Sequence, residues 1–284
     1  MVPTVLPNNT VQLTAGCPPS LNVKRQGAEC DMFLKASVIV TGGFIILPLL
    51  VAAGFLVACE WAGRRLGEGV AVRRRRAAWL GAAVLAWLSV TALIAASGVL
   101  RRFDATPPPF AALALAVGVV GIAVPCSPLG TLLIRGLPLW ALVGFQVFRF
   151  PLELVMHRAY SEGVMPVQMS YSGYNYDIVS GITAGVLGLW LVRRQVSRWV
   201  VASWNTLGFV LLVSIVIIAI VSTPVFGWFG NERLNIFVTY PPFVWLPGIL
   251  VTAALMGHIL VWRRLSEKPA AGMSGRDVGK PISP

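Results

Sequence analysis

The sequence predicts an all-α fold: a polytopic integral membrane protein with seven transmembrane helices, its N-terminus outside and its C-terminus inside. Three observations carry that expectation. The first is composition, since 56% of the 284 residues are hydrophobic and only 12% are charged, against about 25% charged in a soluble domain. The second is where the charges are missing. None falls within 36–59, 77–100, 105–134, 199–231 or 234–262, and uncharged apolar runs of about 18 residues or more are read as membrane spans. The third is where the charges sit. With the N-terminus outside, fifteen of the 23 Lys and Arg residues fall on the inner side, seven on the outer, and Arg149 within the membrane. That is the bias of the positive-inside rule. A net charge of +12 would point to nucleic acid in a soluble chain. Here it is spent on topology, and no nucleic-acid partner is expected.

Taken in order, residues 1–36 form a polar extracytoplasmic segment with no basic region leading straight into an apolar core, so no cleavable signal peptide is expected. Its two cysteines, Cys17 and Cys30, would face an oxidising compartment and are expected to form a disulfide. The transmembrane domain covers 37–262. Its first span runs from about Ser37 to Ala58 and its second from about Ala78 to Val99. Between them Arg73, Arg74, Arg75 and Arg76 set topology and offer a contact for anionic lipid headgroups. A third span begins near Phe110 and meets Pro125-Cys126-Ser127-Pro128, where the proline lacks a donor and clashes with the preceding turn, so a kink or break is expected. Cys59 and Cys126 read as apolar packing residues.

The fourth span, Leu137–His157, differs from the rest by carrying Gln146, Arg149, Glu153 and His157. At about 100° per residue these fall on one stripe. Ionisable groups at that depth are costly and face a bundle interior or a wet cavity. In this topology the stripe opens outward, toward Gln168, Asn175 and Asp177 of the following loop and helix. Arg149 is expected to pair with Glu153 at i, i+4, or with an outer group such as Asp177. The short fifth span, about Ile178–Val192, places Gly181, Gly185 and Gly188 on a small-residue face suited to close packing. That face would serve a neighbouring helix, in this chain, a second copy or a membrane partner. A sixth span covers about Ser203–Val221 and a seventh about Phe243–Trp262, leaving 263–284 as a cytoplasmic disordered tail.

One stretch reads as a motif: Phe148-Arg149-Phe150-Pro151-Leu152-Glu153-Leu154, then His157, Tyr160, Gly163 and Pro166-Val167-Gln168-Met169, then Gly173, Asn175-Tyr176-Asp177-Ile178 and Gly181-Ile182-Thr183. It resembles a group of uncharacterised bacterial multi-pass inner-membrane proteins. The resemblance covers 148–183 and elsewhere extends only to hydropathy. It implies a bacterial inner-membrane setting and brings no activity with it.

Three functional classes are open to such a chain. The polar stripe fits permeation or sensing of a small solute or ion, with Glu153 or His157 exchanging protons. The same two residues would be acid and base in a membrane enzyme acting on a lipid or lipid-linked substrate, and the glycine face would serve a scaffold. No cofactor or metal is expected. His157 and His258 lie toward opposite ends of their spans and cannot share one haem, and 243–262 contains no lysine for a retinal Schiff base. No phosphate-binding loop, Cys-x-x-Cys, His-Glu-x-x-His or Gly-x-Ser-x-Gly motif occurs.

Overall fold

The computed structural model describes residues 36–267, and every regular element among them is helical. Cys17 and Cys30, the expected disulfide pair, lie outside the described residues. Six helices are long and apolar enough to cross a membrane: Val38–Arg65, Val70–Ala96, Pro109–Cys126, Leu139–Ser161, Arg198–Val221 and Leu246–Ser266. The first, second and third are α1, α2 and α3. Helix α4 (Pro128–Gly136) is a short continuation of α3. The fourth long helix is composite, with α5 (Leu139–Gly144), a 3₁₀ turn at Phe145–Phe148 and α6 (Arg149–Ser161). The element expected as a fifth span is α7 (Asp177–Arg193), of 17 residues, or about 25 Å. Helix α8 is Arg198–Val221, and the last helix joins a π-helical stretch, Leu246–Val251, to α9 (Thr252–Ser266).

Burial is inverted relative to a soluble domain. Gln146, Arg149, Glu153, Asn205 and His258 are buried, whereas Ile39, Leu50, Leu85, Leu93, Ile217 and Trp199 are exposed. Apolar surface on that scale is what a lipid-facing bundle presents. Two large clusters and a small third one, of Ala95, Leu100 and Val244, fill the interior of the described residues. One gathers Phe44, Leu152, Met156, Leu212, Phe237, Phe243 and Leu250 near the ends that carry the long loops. The other, around Cys59, Leu133, Leu142, Leu187 and Leu260, lies toward the ends rich in arginine.

Local chemistry explains the breaks. At Ser127 the backbone turns extended, and the hydroxyl donates to the Val124 carbonyl at 2.7 Å while accepting from the Leu129 amide at 3.1 Å. One side chain thus ends α3 and caps α4. Arg263 of α9 closes the gap by donating to the Pro125 carbonyl and, at 3.0 Å, to the Thr131 hydroxyl. The 3₁₀ turn at Phe145–Phe148 precedes Pro151, whose ring displaces the Val147 carbonyl four residues back. In the π stretch the wide turn frees carbonyls. Thr252 bonds Gly248 O at 3.1 Å, and Trp87 of α2 donates to the same oxygen at 2.8 Å.

Helix α2 starts at Val70, well before Ala78, and so includes all four arginines. Positive charge is unfavourable in a first turn. Arg73 and Arg76 are answered by Glu60 and Glu68, at 3.0 and 2.7 Å, and Arg74 and Arg75 stay exposed. The last helix runs on through Ser266, past Trp262, because Arg263 and Arg264 suit a helix C-terminus.

Helix α7 packs on the composite helix through its glycines. A Cβ at Gly181 would meet the Phe150 nitrogen and lie 2.9 Å from the Arg149 carbonyl carbon. At Gly185 it would approach the Val147 side chain at 3.1 Å, and at Gly188 the Gly144 Cα at 3.3 Å. Gly181 faces rigid backbone, so it is the least replaceable of the three. Gly181→Ala is expected to destabilise by about 1–3 kcal/mol, whereas Gly42→Ala, with nothing within 4 Å of the new Cβ, leaves stability equal or slightly higher. Thermal unfolding of the two variants in detergent checks the contrast.

The start of α1 is clasped from below α6. The Ser37 amide donates to Glu162 Oε2 at 2.8 Å, and Arg158 donates to Oε1 at 2.6 Å. Burial alone would push the Glu162 carboxyl up, but the Ser37 bonds and Arg158 together hold it below the usual carboxylate range. A depressed carboxylate stabilises the fold above its ordinary value of about 4.3 and loses that contribution as pH falls through the folded value. Protection against hydrogen exchange at the α1 N-terminus, corrected for the intrinsic rate at each pH, should therefore hold at pH 6 and fall as pH drops through the folded value of Glu162. Glu162→Gln should abolish that pH dependence.

Candidate functional site

The centre of the bundle is built around Arg149, 1% exposed at the first position of α6. Its guanidinium grips Asp177 with two donors, Nε to Oδ2 at 2.7 Å and Nη2 to Oδ1. Nη1 meets His258 Nε2 at 2.8 Å, and Nη2 reaches the Gly208 carbonyl at 3.5 Å. Arginine only donates, so His258 Nε2 must accept. The ring proton then sits on Nδ1 and goes to Asn205 Oδ1 at 2.9 Å, while Asn205 Nδ2 donates to the His258 carbonyl at 3.0 Å. Four elements, α6, α7, α8 and α9, thus meet on one cation. Gly208 has to be small here, because a Cβ would lie 2.7 Å from His258 Cε1.

Arg149 pairs with Asp177 and not with Glu153 one turn along. The i, i+4 order explains the choice, since an acid C-terminal to the base is the weaker arrangement on a helix. Asp177 also begins α7, where the helix dipole favours negative charge, and its amide donates to Asn175 Oδ1 at 3.1 Å. Glu153 is held by a neutral group instead. Asn175 Nδ2 donates to Glu153 Oε1 at 2.8 Å and to the Met169 carbonyl at 3.0 Å. Glu153 Oε2 is buried and has no hydrogen-bond partner.

Glu153 lines a cavity of about 120 Å³, together with Arg149, Asn175, Asp177 and Asn235 among apolar residues including Phe110, Leu152, Met156, Leu212, Ile215 and Leu250. The lining comes from the halves of α3, the composite helix and α8 nearest the long loops, and from the start of the last helix. Of the seven residues expected in the polar site, four assemble here: Arg149, Glu153, Asn175 and Asp177. Gln146 does not line the cavity and donates to the Ala254 carbonyl at 2.9 Å. Gln168 ties its 3₁₀ turn to Ser222 and to the Arg233 carbonyl, at 3.1 and 2.7 Å. His157 is half-buried, stacked on Tyr171 at 4.3 Å and bonded to Ser172 at 3.2 Å.

Sequence reading passed over Asn205, Asn235 and the part played by His258. The available signal was an amide or imidazole inside an apolar run, where an unpaired polar group is costly. No group of three or more His, Cys, Asp or Glu residues suited to a metal ion occurs among the described residues.

A double-mutant cycle tests the pairing. Arg149→Met or Asp177→Asn alone should each cost about 3–5 kcal/mol, because the partner is left buried and uncompensated, and the double variant should recover much of it. The corresponding cycle of Arg149→Met with Glu153→Gln should show weak coupling. Thermal unfolding of the purified variants reads both. No protein-family model, curated protein or solved structure matches this chain.

Proposed function

We propose that the chain is a bacterial inner-membrane protein of seven spans, N-out and C-in, that binds a small solute at the Glu153 cavity from the outer side, for permeation or sensing. The observation that carries this reading is Glu153 Oε2, a buried carboxylate oxygen left without a partner at the wall of a cavity. Buried polar atoms in membrane bundles are nearly always satisfied, and an orphan beside open space calls for something to fill it. Counting α7 as the seventh span puts both of its neighbours, the 162–176 loop and the 194–197 turn, on opposite faces. The arginine-rich ends of α1, α2, α4, α7 and α9 then share the inner face, as the positive-inside rule requires.

An enzyme acting on lipid is supported by one feature, an apolar cleft of about 830 Å³ between α1, α2, α5, α7 and the last helix. Its lining contains no ionisable side chain, and neither Glu153 nor His157 is part of it. It provides room for hydrocarbon but no acid or base, and its one hydroxyl, that of Thr252, is bonded to the Gly248 carbonyl, so solute binding is the better reading.

Outer access is checked with a single cysteine at Val216, on the cavity wall, after replacing the four native cysteines with alanine. A membrane-impermeant thiol reagent added outside intact cells should modify Val216→Cys, and a reporter fused to the C-terminus should read cytoplasmic. Modification only after permeabilisation, or a periplasmic reporter, would overturn the reading.

A further inference from the structure

We infer that the solute of the Glu153 cavity is a small primary alkylammonium ion. This rests on the outward-site reading above and adds the chemistry of the ligand. Two residues of the cavity wall, Glu153 and Asn235, each carry a buried acceptor with no partner among the described residues, Oε2 and Oδ1. Glu153 is 2% exposed and Asn235 is fully buried. The identity of the second atom follows from its neighbour. The other terminus of the Asn235 amide faces the Ala219 carbonyl at 3.0 Å, and a carbonyl only accepts, so that terminus is the nitrogen.

The donors that might have answered these acceptors are committed elsewhere. Asn175 Nδ2 serves Glu153 Oε1 and Met169, Asn235 Nδ2 serves Ala219, and Arg149 serves Asp177, His258 and Gly208. With Glu153 ionised, a ligand must therefore donate hydrogen bonds. Charge narrows it further. Arg149 and Asp177 cancel each other, and Glu153 has no cation within ion-pair distance among the described residues. An ionised Glu153 would leave one unmatched negative charge in a low-dielectric site, which a monovalent cation neutralises. A bare metal ion fits poorly, since hard cations collect about six oxygen ligands and most of this wall is Leu, Ile, Met and Phe. An ammonium group brings three N–H donors for the oxygens and an alkyl chain for the apolar wall. About 120 Å³ is roughly four liquid-water volumes, room for a chain of a few carbons.

The full chain in lipid nanodiscs is titrated with n-propylammonium chloride, following thermal unfolding and calorimetric heat. A saturable stabilisation is expected, absent with tetramethylammonium, which has no N–H, and absent with neutral n-propanol. Glu153→Gln, which keeps the shape and the Asn175 bond, should weaken binding at least tenfold, about one charge-assisted hydrogen bond. Asn235→Ala should weaken it by less and gives an independent check should the first variant fold poorly. An equal, saturable response to sodium or potassium chloride would overturn the inference in favour of an inorganic cation. An equal response to n-propanol, or unchanged affinity in both variants, would overturn it as well. No response to any of these, with Val216→Cys still labelled from outside, would sink the ammonium assignment and leave the outward cavity standing.

Discussion

A permanent positive charge buried in an apolar bundle is the constraint on which the rest of this structure depends. An arginine at the centre of a membrane helix costs about 2.5–3.5 kcal/mol even on the mildest insertion scales, and removing its solvent leaves every donor in need of an acceptor. Asp177 supplies the countercharge, His258 a neutral ring nitrogen and Gly208 a carbonyl. These come from three different helices, so satisfying one side chain fixes the relative placement of α6, α7, α8 and α9. The small residues follow from the same demand. Gly181 lets α7 come down onto the Arg149–Phe150 backbone, and Gly208 leaves space for the His258 ring. Polar satisfaction and close packing are two aspects of a single geometry.

Two of the open spaces in the bundle are chemically opposed. The small one has acceptors and a carboxylate. The large one has indole, aliphatic and phenyl surface, and lies in the wedge where α2 stands away from its neighbours. Only 11% of the most apolar window of α2 is buried, against 50% for the last helix. Hydrogen bonds from Trp87 to the Gly248 carbonyl and from Trp245 to the Leu88 carbonyl bridge α2 to the last helix.

Much of the fold was legible from hydropathy and proline alone. The helical class, the approximate spans and the interruption at Pro125–Pro128 all appear at the expected places. The number of spans depends on α7, whose 17 residues lie at the edge of what length can decide. The site was legible in part, because charge inside an apolar run is visible without knowing what it touches. Its partners were not. Arg149 could be assigned to Glu153 or Asp177 from spacing, and only the three-dimensional approach of α7 separates the two. His157 lies on the expected stripe, yet it falls in the last turn of α6, where the loop offers Tyr171 and Ser172. His258, Asn205 and Asn235 each look like isolated packing residues in sequence, since their partners are 53, 109 or 16 positions away.

The last helix has a consequence for the order in which this protein is assembled. Four polar side chains from three earlier helices find their partners on it. Trp87 of α2 bonds to Gly248, Gln146 of the composite helix to Ala254, Arg149 of α6 to His258, and Asn205 of α8 to His258. A chain synthesised from its N-terminus therefore passes through a stage in which these groups lie in the bilayer without the acceptors they will finally have. Helix α9, with the π stretch before it, works as a keystone. Whatever holds the nascent chain in the membrane must shelter those donors until the final span arrives.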